Sequence, residues 1–250
     1  MTQASFFHRL TLLVGPRAAT ALQESRAIVF GLGGVGSWCA EALARSGVGK
    51  ISLVDSDTVC HSNINRQLQA LSSTIGRLKT GALEERLKDI NPSCEIRTFP
   101  HVFSKETAEL FEIADADYVI DAIDSLKHKL ELIETALSAG TKFFSSMGMA
   151  QKLDPTRIKT ADIWKTSGCP LARLVRYGLR KRGFRGHFTA VYSQERIPLR
   201  EGVPAPDNAG ASGTWDSGKK VINGTAVTVT ATAGMVLASL VIQDARERYE

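Results

Sequence analysis

Gly31-Leu32-Gly33-Gly34-Val35-Gly36-Ser37 is the stretch whose reading decides the fold. An apolar strand pattern, Ala27–Phe30, leads into it, and a helical pattern, Ser37–Arg45, leads out. A second apolar run, Ile51–Val54, then ends in Asp55. Strand, glycine turn, helix, strand and acid in that order make a nucleotide-binding βαβ unit. Gly31 permits the tight turn, Gly33 lets backbone approach a phosphate, and Gly36 lets the helix pack on the strand. Around Gly34 and Val35 the helix start offers unpaired N–H groups to an anion. Asp55 stands where a carboxylate accepts hydrogen bonds from ribose hydroxyls, although Asp55-Ser56-Asp57 also suits a plain acidic turn.

Working outward, Asn63-Ile64-Asn65-Arg66-Gln67 and then Lys79 follow the acid. Arginine offers a planar fork to phosphate oxygens, and lysine a compact charge. A hydride-transfer site has no use for them, whereas a triphosphate does. In Val119-Ile120-Asp121-Ala122-Ile123-Asp124-Ser125, two carboxylates lie at the end of a buried strand pattern. A hard oxygen there can hold Mg²⁺ against phosphates, and Asp124, facing the loop, is the candidate ligand, with Asp121 structural.

Strand and helix signals alternate through residue 145. Helices are expected around Leu83–Ile90, over Lys105–Glu112 with Ser104 as N-cap, and over Leu126–Ala139 closed by Gly140. Strands are expected at Glu95–Phe99, Tyr118–Ala122 and Lys142–Ser145. The implied class is α/β, a Rossmann-like, doubly wound, mostly parallel sheet with helices on both faces. Further on come a turn at Asp154-Pro155-Thr156, a strand at Arg157–Ile163, a basic helix at Leu171–Arg182, a strand at Phe188–Ser193, a long mobile loop near 196–220, and a C-terminal helix over Asn223–Tyr249. The expected organisation is one domain over 1–250, with a nucleotide-binding core at about 26–145 and a dimerisation or substrate region at about 146–250.

The chain's 250 residues, 43% hydrophobic and 23% charged, suit a soluble globular protein, and its net charge of +5 points weakly to a polyanionic partner. Cys39, Cys60, Cys94 and Cys169 form no C-x-x-C pair, so neither a zinc knuckle nor a disulfide framework is expected. No apolar run follows His8-Arg9, which argues against a signal peptide. The most apolar stretch, Ala226–Ile242, is short for a membrane span and carries Thr228, Thr230 and Thr232, so it reads as a buried helix. A reducing cytoplasm and no membrane partner are expected.

Together GLGGVGS, VDSD, NINRQ, the following lysine and DAIDS resemble the E1-like ThiF/MoeB/HesA adenylating family. Phe7-His8-Arg9-Leu10-Thr11-Leu12-Leu13-Val14-Gly15 is similar to that family's opening segment. The resemblance implies ATP and Mg²⁺ as cofactors and a homodimer in which Arg9 reaches the partner's ATP site. It implies catalytic roles for Arg9, Arg66, Lys79 and Asp124. ATP would be held by Gly31, Gly33, Gly34, Val35, Gly36, Asp55, Asp57, Asn63, Arg66, Gln67 and Lys79, with Asp124 on the metal. Asp154-Pro155-Thr156, Cys169-Pro170-Leu171-Ala172 and Val191-Tyr192-Ser193-Gln194-Glu195 resemble the branch that dehydrates threonylcarbamoyladenosine in tRNA. That branch implies carboxylate adenylation followed by cyclisation.

The basic helix bears on the same substrate. Arg173, Arg176 and Arg180 share a face, continued by Lys181 and Arg182, opposite a stripe of Leu171, Leu174, Val175 and Leu179. Such a face suits an RNA backbone, with Tyr177 or Phe184 to stack on a base, or is simply solvated. Lys127, His128 and Lys129 could extend it. Other readings stay open: adenylation of a ubiquitin-like sulfur-carrier C-terminus with a sulfur-transfer partner protein, an NAD-linked oxidoreductase, and a non-catalytic nucleotide sensor. The missing zinc cysteines, and the lack of a cysteine after Cys169 to accept an acyl group, weigh against sulfur relay. Cys169 itself reads as a buried bystander rather than a working thiol.

Overall fold

The computed structural model describes residues 6–195, 203–204 and 221–249. Its main sheet has seven strands in the order β3-β2-β1-β4-β5-β7-β6. These are β1 (Arg26–Phe30), β2 (Lys50–Val54), β3 (Glu95–Phe99), β4 (Tyr118–Asp121), β5 (Lys142–Ser146), β6 (Ile158–Asp162) and β7 (Thr189–Ser193). All neighbours pair in parallel except β6 with β7. From β1 the chain winds outward to β2 and β3, then returns to β4 on β1's other side. The crevice outside the carboxyl ends of β1 and β4 is therefore the topological switch point.

Alternating side chains feed two apolar layers. Ala27, Val29, Ile51, Leu53, Tyr118, Ile120, Phe144 and Val191 face one, shared with α2 (Pro16–Glu24), α3 (Gly36–Arg45), α4 (Lys79–Ile90) and α7 (Val227–Tyr249). Ile28, Phe30, Val119, Phe143 and Ala190 face the other, covered by α5 (Leu126–Ser138) and α6 (Pro170–Lys181). As expected, α5 closes on Gly140, which takes a positive φ of 74°. Helix α7 buries Val229, Ala233, Leu237, Val241 and Ala245, one residue per turn, so its apolar character serves the core. Gly234 lets it cross α3 closely: a Cβ there would lie 2.9 Å from the Cys39 amide nitrogen.

The helix expected over Lys105–Glu112 does not form. Two 3₁₀ turns, Ala108–Phe111 and Ile113–Asp115, replace it, joined by Glu112 at φ 50°. Phe111 and Ile113 are both buried, and a two-residue spacing cannot share a helical face. Glu112 reverses the chain between them and pairs with Arg26 and Arg97 at 3.0 and 2.7 Å. The expected loop near 196–220 lies outside the described residues apart from Val203–Pro204. That pair forms β8, antiparallel to β9 (Val221–Ile222).

Candidate active site

The glycine turn sits at the switch point because β1 ends there and the chain must reverse immediately into α3. Gly31 has φ 86°, and a Cβ there would stand 2.8 Å from the carbonyl oxygen of Ala122 in the loop after β4. Only glycine meets both conditions. A Cβ on Gly33 would meet nothing within 4 Å, so that position opens into the crevice. Gly34 lies under the Arg66 stem and Thr230 of α7, each about 3.2 Å or less from its would-be Cβ. Gly36 packs against the Gly31 carbonyl. Val35 is the N-cap of α3, and no side chain caps that helix start.

Asp55 follows β2 beside the turn. Its Oδ2 accepts from the Leu32 amide at 2.7 Å and its Oδ1 from the Asp57 amide at 2.8 Å. The turn reading of this acid therefore holds, and the same carboxylate also braces the glycine turn. Burial raises the Asp55 pKa, against the opposing pull of Lys79. Lys79, buried at the start of α4, stands 2.7 Å from Asp57 Oδ2 and 3.7 Å from Asp55 Oδ1. One buried ammonium thus serves two carboxylates.

Asn63 is buried, its Oδ1 accepting from the Cys60 amide at 3.1 Å. Arg66 donates to the Ser62 carbonyl at 2.7 Å and to Asn65 Oδ1 at 3.0 Å. Gln67 is buried, and its Oε1 has no partner among the described residues. Asp124 is exposed on the loop after β4, whereas Asp121 is fully buried. Asp124 alone of that pair is exposed.

Three contributors escaped the sequence reading. Gln69 donates to the Leu32 carbonyl at 2.8 Å and keeps a buried, unpartnered Oε1 among the described residues. Trp38 holds the Arg66 carbonyl at 3.0 Å. Ser37 donates to the Gly33 carbonyl at 2.7 Å and accepts from the Leu68 amide at 3.2 Å. Apart from the local Ser37–Gly33 bond, these contacts join positions 28 to 37 residues apart, which no local pattern encodes.

Arg9 is exposed near the start of α1 (His8–Val14), beside Leu12 and Leu13, which are 73% and 71% exposed. On α6 the basic face is partly committed. Arg173, Arg180 and Lys181 are exposed, but Arg176 donates to the Thr166 hydroxyl and Arg182 pairs with Glu134 at 2.7 Å. Arg180 lies over the Trp164 ring at 5.4 Å and Lys181 over Tyr177 at 4.9 Å. Leu174, expected in the buried stripe, is 45% exposed; Val175 and Leu179 are buried as expected, and Ala172 joins them. Phe184 packs partly into the core layer, leaving exposed Tyr177 as the accessible ring. Lys129 cannot extend the patch, because its side chain is fully buried against Asp121. Cys169 is buried at the head of α6, as expected of a bystander. No cluster of metal-ligating side chains occurs among the described residues.

Residues 7–245 match the ThiF family. The chain belongs to the ThiF family. This ThiF chain is 46% identical over 198 residues to the tRNA threonylcarbamoyladenosine dehydratase of Bacillus subtilis, covering 79% of this chain and 78% of that one. It is 34% identical over 236 residues to the Escherichia coli dehydratase, covering 91% and 88%. The crystal structure of E. coli tRNA N6-threonylcarbamoyladenosine dehydratase, TcdA, in complex with ATP superposes with a TM-score of 0.84 at 31% identity, covering 98% of this chain and 95% of that one. The Rossmann-like, doubly wound, mostly parallel α/β fold expected from the sequence is thus the fold of this ThiF chain, here with seven strands.

Proposed function

We propose that this chain adenylates the threonyl carboxylate of N6-threonylcarbamoyladenosine in tRNA and cyclises it, releasing AMP and pyrophosphate. The observation that carries the reading is the 46% identity to a tRNA threonylcarbamoyladenosine dehydratase over most of both chains. The crevice geometry is consistent with it.

The chemistry follows from a poor leaving group. A carboxylate oxygen attacks the α-phosphorus of ATP and pyrophosphate departs, leaving a mixed anhydride. A carbamoyl nitrogen then attacks the acyl carbon, loses its proton, and AMP leaves with the former carboxylate oxygen. The nucleoside loses one water in sum. Two anions must meet, so positioning and charge screening are what the protein supplies. In this reading Gly31, Gly33, Gly34, Val35 and Gly36 offer backbone to the phosphates, and Asp55 and Asp57 hold the ribose. Asn63, Arg66, Gln67 and Lys79 surround the triphosphate. Binding phosphate there would draw Lys79 partly from its two carboxylates.

The exposed carboxylate of Asp124 at the switch point fits Mg²⁺, a hard cation. When bound, the ion would screen the triphosphate. Exposed Leu12 and Leu13 beside Arg9 suit burial against a second copy, which would bring Arg9 to the partner's site. Arg173, Arg180 and Lys181 with Tyr177 suit the tRNA. The four unpaired cysteines suit a reducing cytoplasm. Residues 1–250 are read as one domain, the core at about 26–145 and the dimer and substrate region at about 146–250.

The test is AMP release from ATP and Mg²⁺, with and without tRNA bearing threonylcarbamoyladenosine, beside nucleoside mass spectrometry. AMP in step with the loss of one water from the modified nucleoside is the expected result. ATP binding without AMP or mass change refutes it.

A further inference from the structure

Lys129, which by sequence could extend the basic patch, is instead the most deeply buried cation among the described residues. Lys129, on the first turn of α5, has no exposed side-chain surface, and neither does its partner Asp121 at 2.7 Å. Its ammonium donates to Asp121 Oδ2, to the Ser146 carbonyl at 3.0 Å and, more weakly, to Ser145 Oγ at 3.4 Å. Three donors thus meet three acceptors, taken from the carboxyl ends of β4 and β5. Ser145 Oγ also donates to Asp121 Oδ2 at 2.6 Å. The other carboxylate oxygen, Oδ1, accepts from the Ile123 amide at 3.0 Å.

Stability alone does not account for the arrangement. Burying two opposite charges costs about as much solvation as their attraction returns, and apolar side chains of similar volume do as well or better. What the pair does uniquely is local. Asp121 grips the backbone two residues on, at Ile123. At the far end, α5 starts with the backbone bond from the Lys129 amide to the Ser125 carbonyl at 2.9 Å, and the Lys129 ammonium ties that first turn back to Asp121 at 2.7 Å. On the remaining side, the Ala122 carbonyl abuts the glycine turn at Gly31. Residues 122–124 are therefore pinned from both ends and from one flank, and Asp124 is the residue they present.

We propose that Lys129 and Asp121 are positioning residues that hold Asp124 in register for the metal of the nucleotide complex. This inference rests on the reading of Asp124 as the Mg²⁺ ligand. Groups that orient a ligating carboxylate typically change metal affinity by about 10- to 100-fold when removed. Losing the pair should thus weaken metal binding while leaving the fold and metal-free nucleotide binding nearly intact.

The test uses the double variant Asp121→Leu/Lys129→Met, which removes both charges together and leaves neither buried alone. Mn²⁺ is the probe, titrated by electron paramagnetic resonance against protein holding a non-hydrolysable ATP analogue. A folded double variant with Mn²⁺ affinity lowered about 10- to 100-fold supports the proposal. Wild-type Mn²⁺ affinity overturns it, and so does an equal loss of analogue binding without metal, which marks general damage. Should the double variant not fold, Ser145→Ala takes its place: a severalfold loss of Mn²⁺ affinity supports the proposal and no loss overturns it. Asp124→Asn is run in parallel. Unchanged Mn²⁺ affinity there overturns the ligand reading itself and the proposal with it.

Discussion

Two substitutions in the glycine turn should separate folding from nucleotide binding. Gly31→Ala meets two obstacles. Its φ of 86° costs an L-residue about 1 kcal/mol or more, and its Cβ would sit 2.8 Å from the Ala122 carbonyl oxygen. That neighbour is backbone, held between β4 and α5, so rotating a side chain cannot relieve the contact. Overpacking of this kind costs about 2 kcal/mol. The sum, about 3 kcal/mol, lowers the melting temperature of a 250-residue chain by roughly 6–12 °C. Gly33→Ala meets neither obstacle, because its Cβ enters open space. Its melting temperature should move by about 2 °C or less. The methyl does, however, occupy the space through which a phosphate would approach the backbone. Loss of one charge-assisted hydrogen bond, about 1.5–3 kcal/mol, weakens ATP binding roughly 10- to 100-fold. The assays are thermal unfolding without ligand and calorimetric ATP titration. Gly33→Ala with wild-type ATP affinity would refute the phosphate role of the turn. Wild-type melting of Gly31→Ala would refute the packing argument.

Four further expectations follow from named contacts. Arg9→Ala should cut turnover about 100-fold or more while leaving the proposed dimer intact by sedimentation, since the residue is assigned to charge stabilisation rather than to packing; full activity would remove that assignment. Arg173→Gln with Arg180→Gln should weaken tRNA binding and flatten its salt dependence by up to about 1.8 log units per log unit of salt, as two phosphate contacts would; an unchanged slope returns the helix to a solvated face. Glu41 is buried, which opposes its ionisation, but Arg86 and Arg45 outweigh that and lower its pKa. Its stabilising contribution is complete above the unfolded-state pKa and lost as pH falls through the lower folded value, so Glu41→Gln should cost about 1 kcal/mol at pH 7 and converge with wild type in acid. Among the thiols, burial pushes Cys39 far up and Cys94 up to about 11, and Cys169 is buried, so Ellman's reagent should label Cys60 alone in the native protein.

What the sequence determined by itself was everything governed by local periodicity and backbone restriction. The glycines at 31, 33 and 36 announce a turn that few other residues can make. The apolar runs before and after them declare buried parallel strands, and the amphipathic spacing of Leu83 and Leu87 declares α4. Those signals suffice for the fold and for placing the crevice, because a doubly wound sheet leaves one switch point. Tertiary structure decided which like residues do which work. Lys129 and Lys127 stand two apart in one helical turn, yet one is fully buried against Asp121 and the other is exposed. Arg176 is tied to Thr166 while Arg173 and Arg180 stay exposed. Phe111 and Ile113 bury together only because Glu112 breaks a helix that propensity favours. Gln69 and Trp38 join the site from positions with no local signature. The physical reason is common to all four cases. The burial of a charge, or of one face over another, depends on neighbours distant in the chain, and those neighbours exist only once the sheet is assembled.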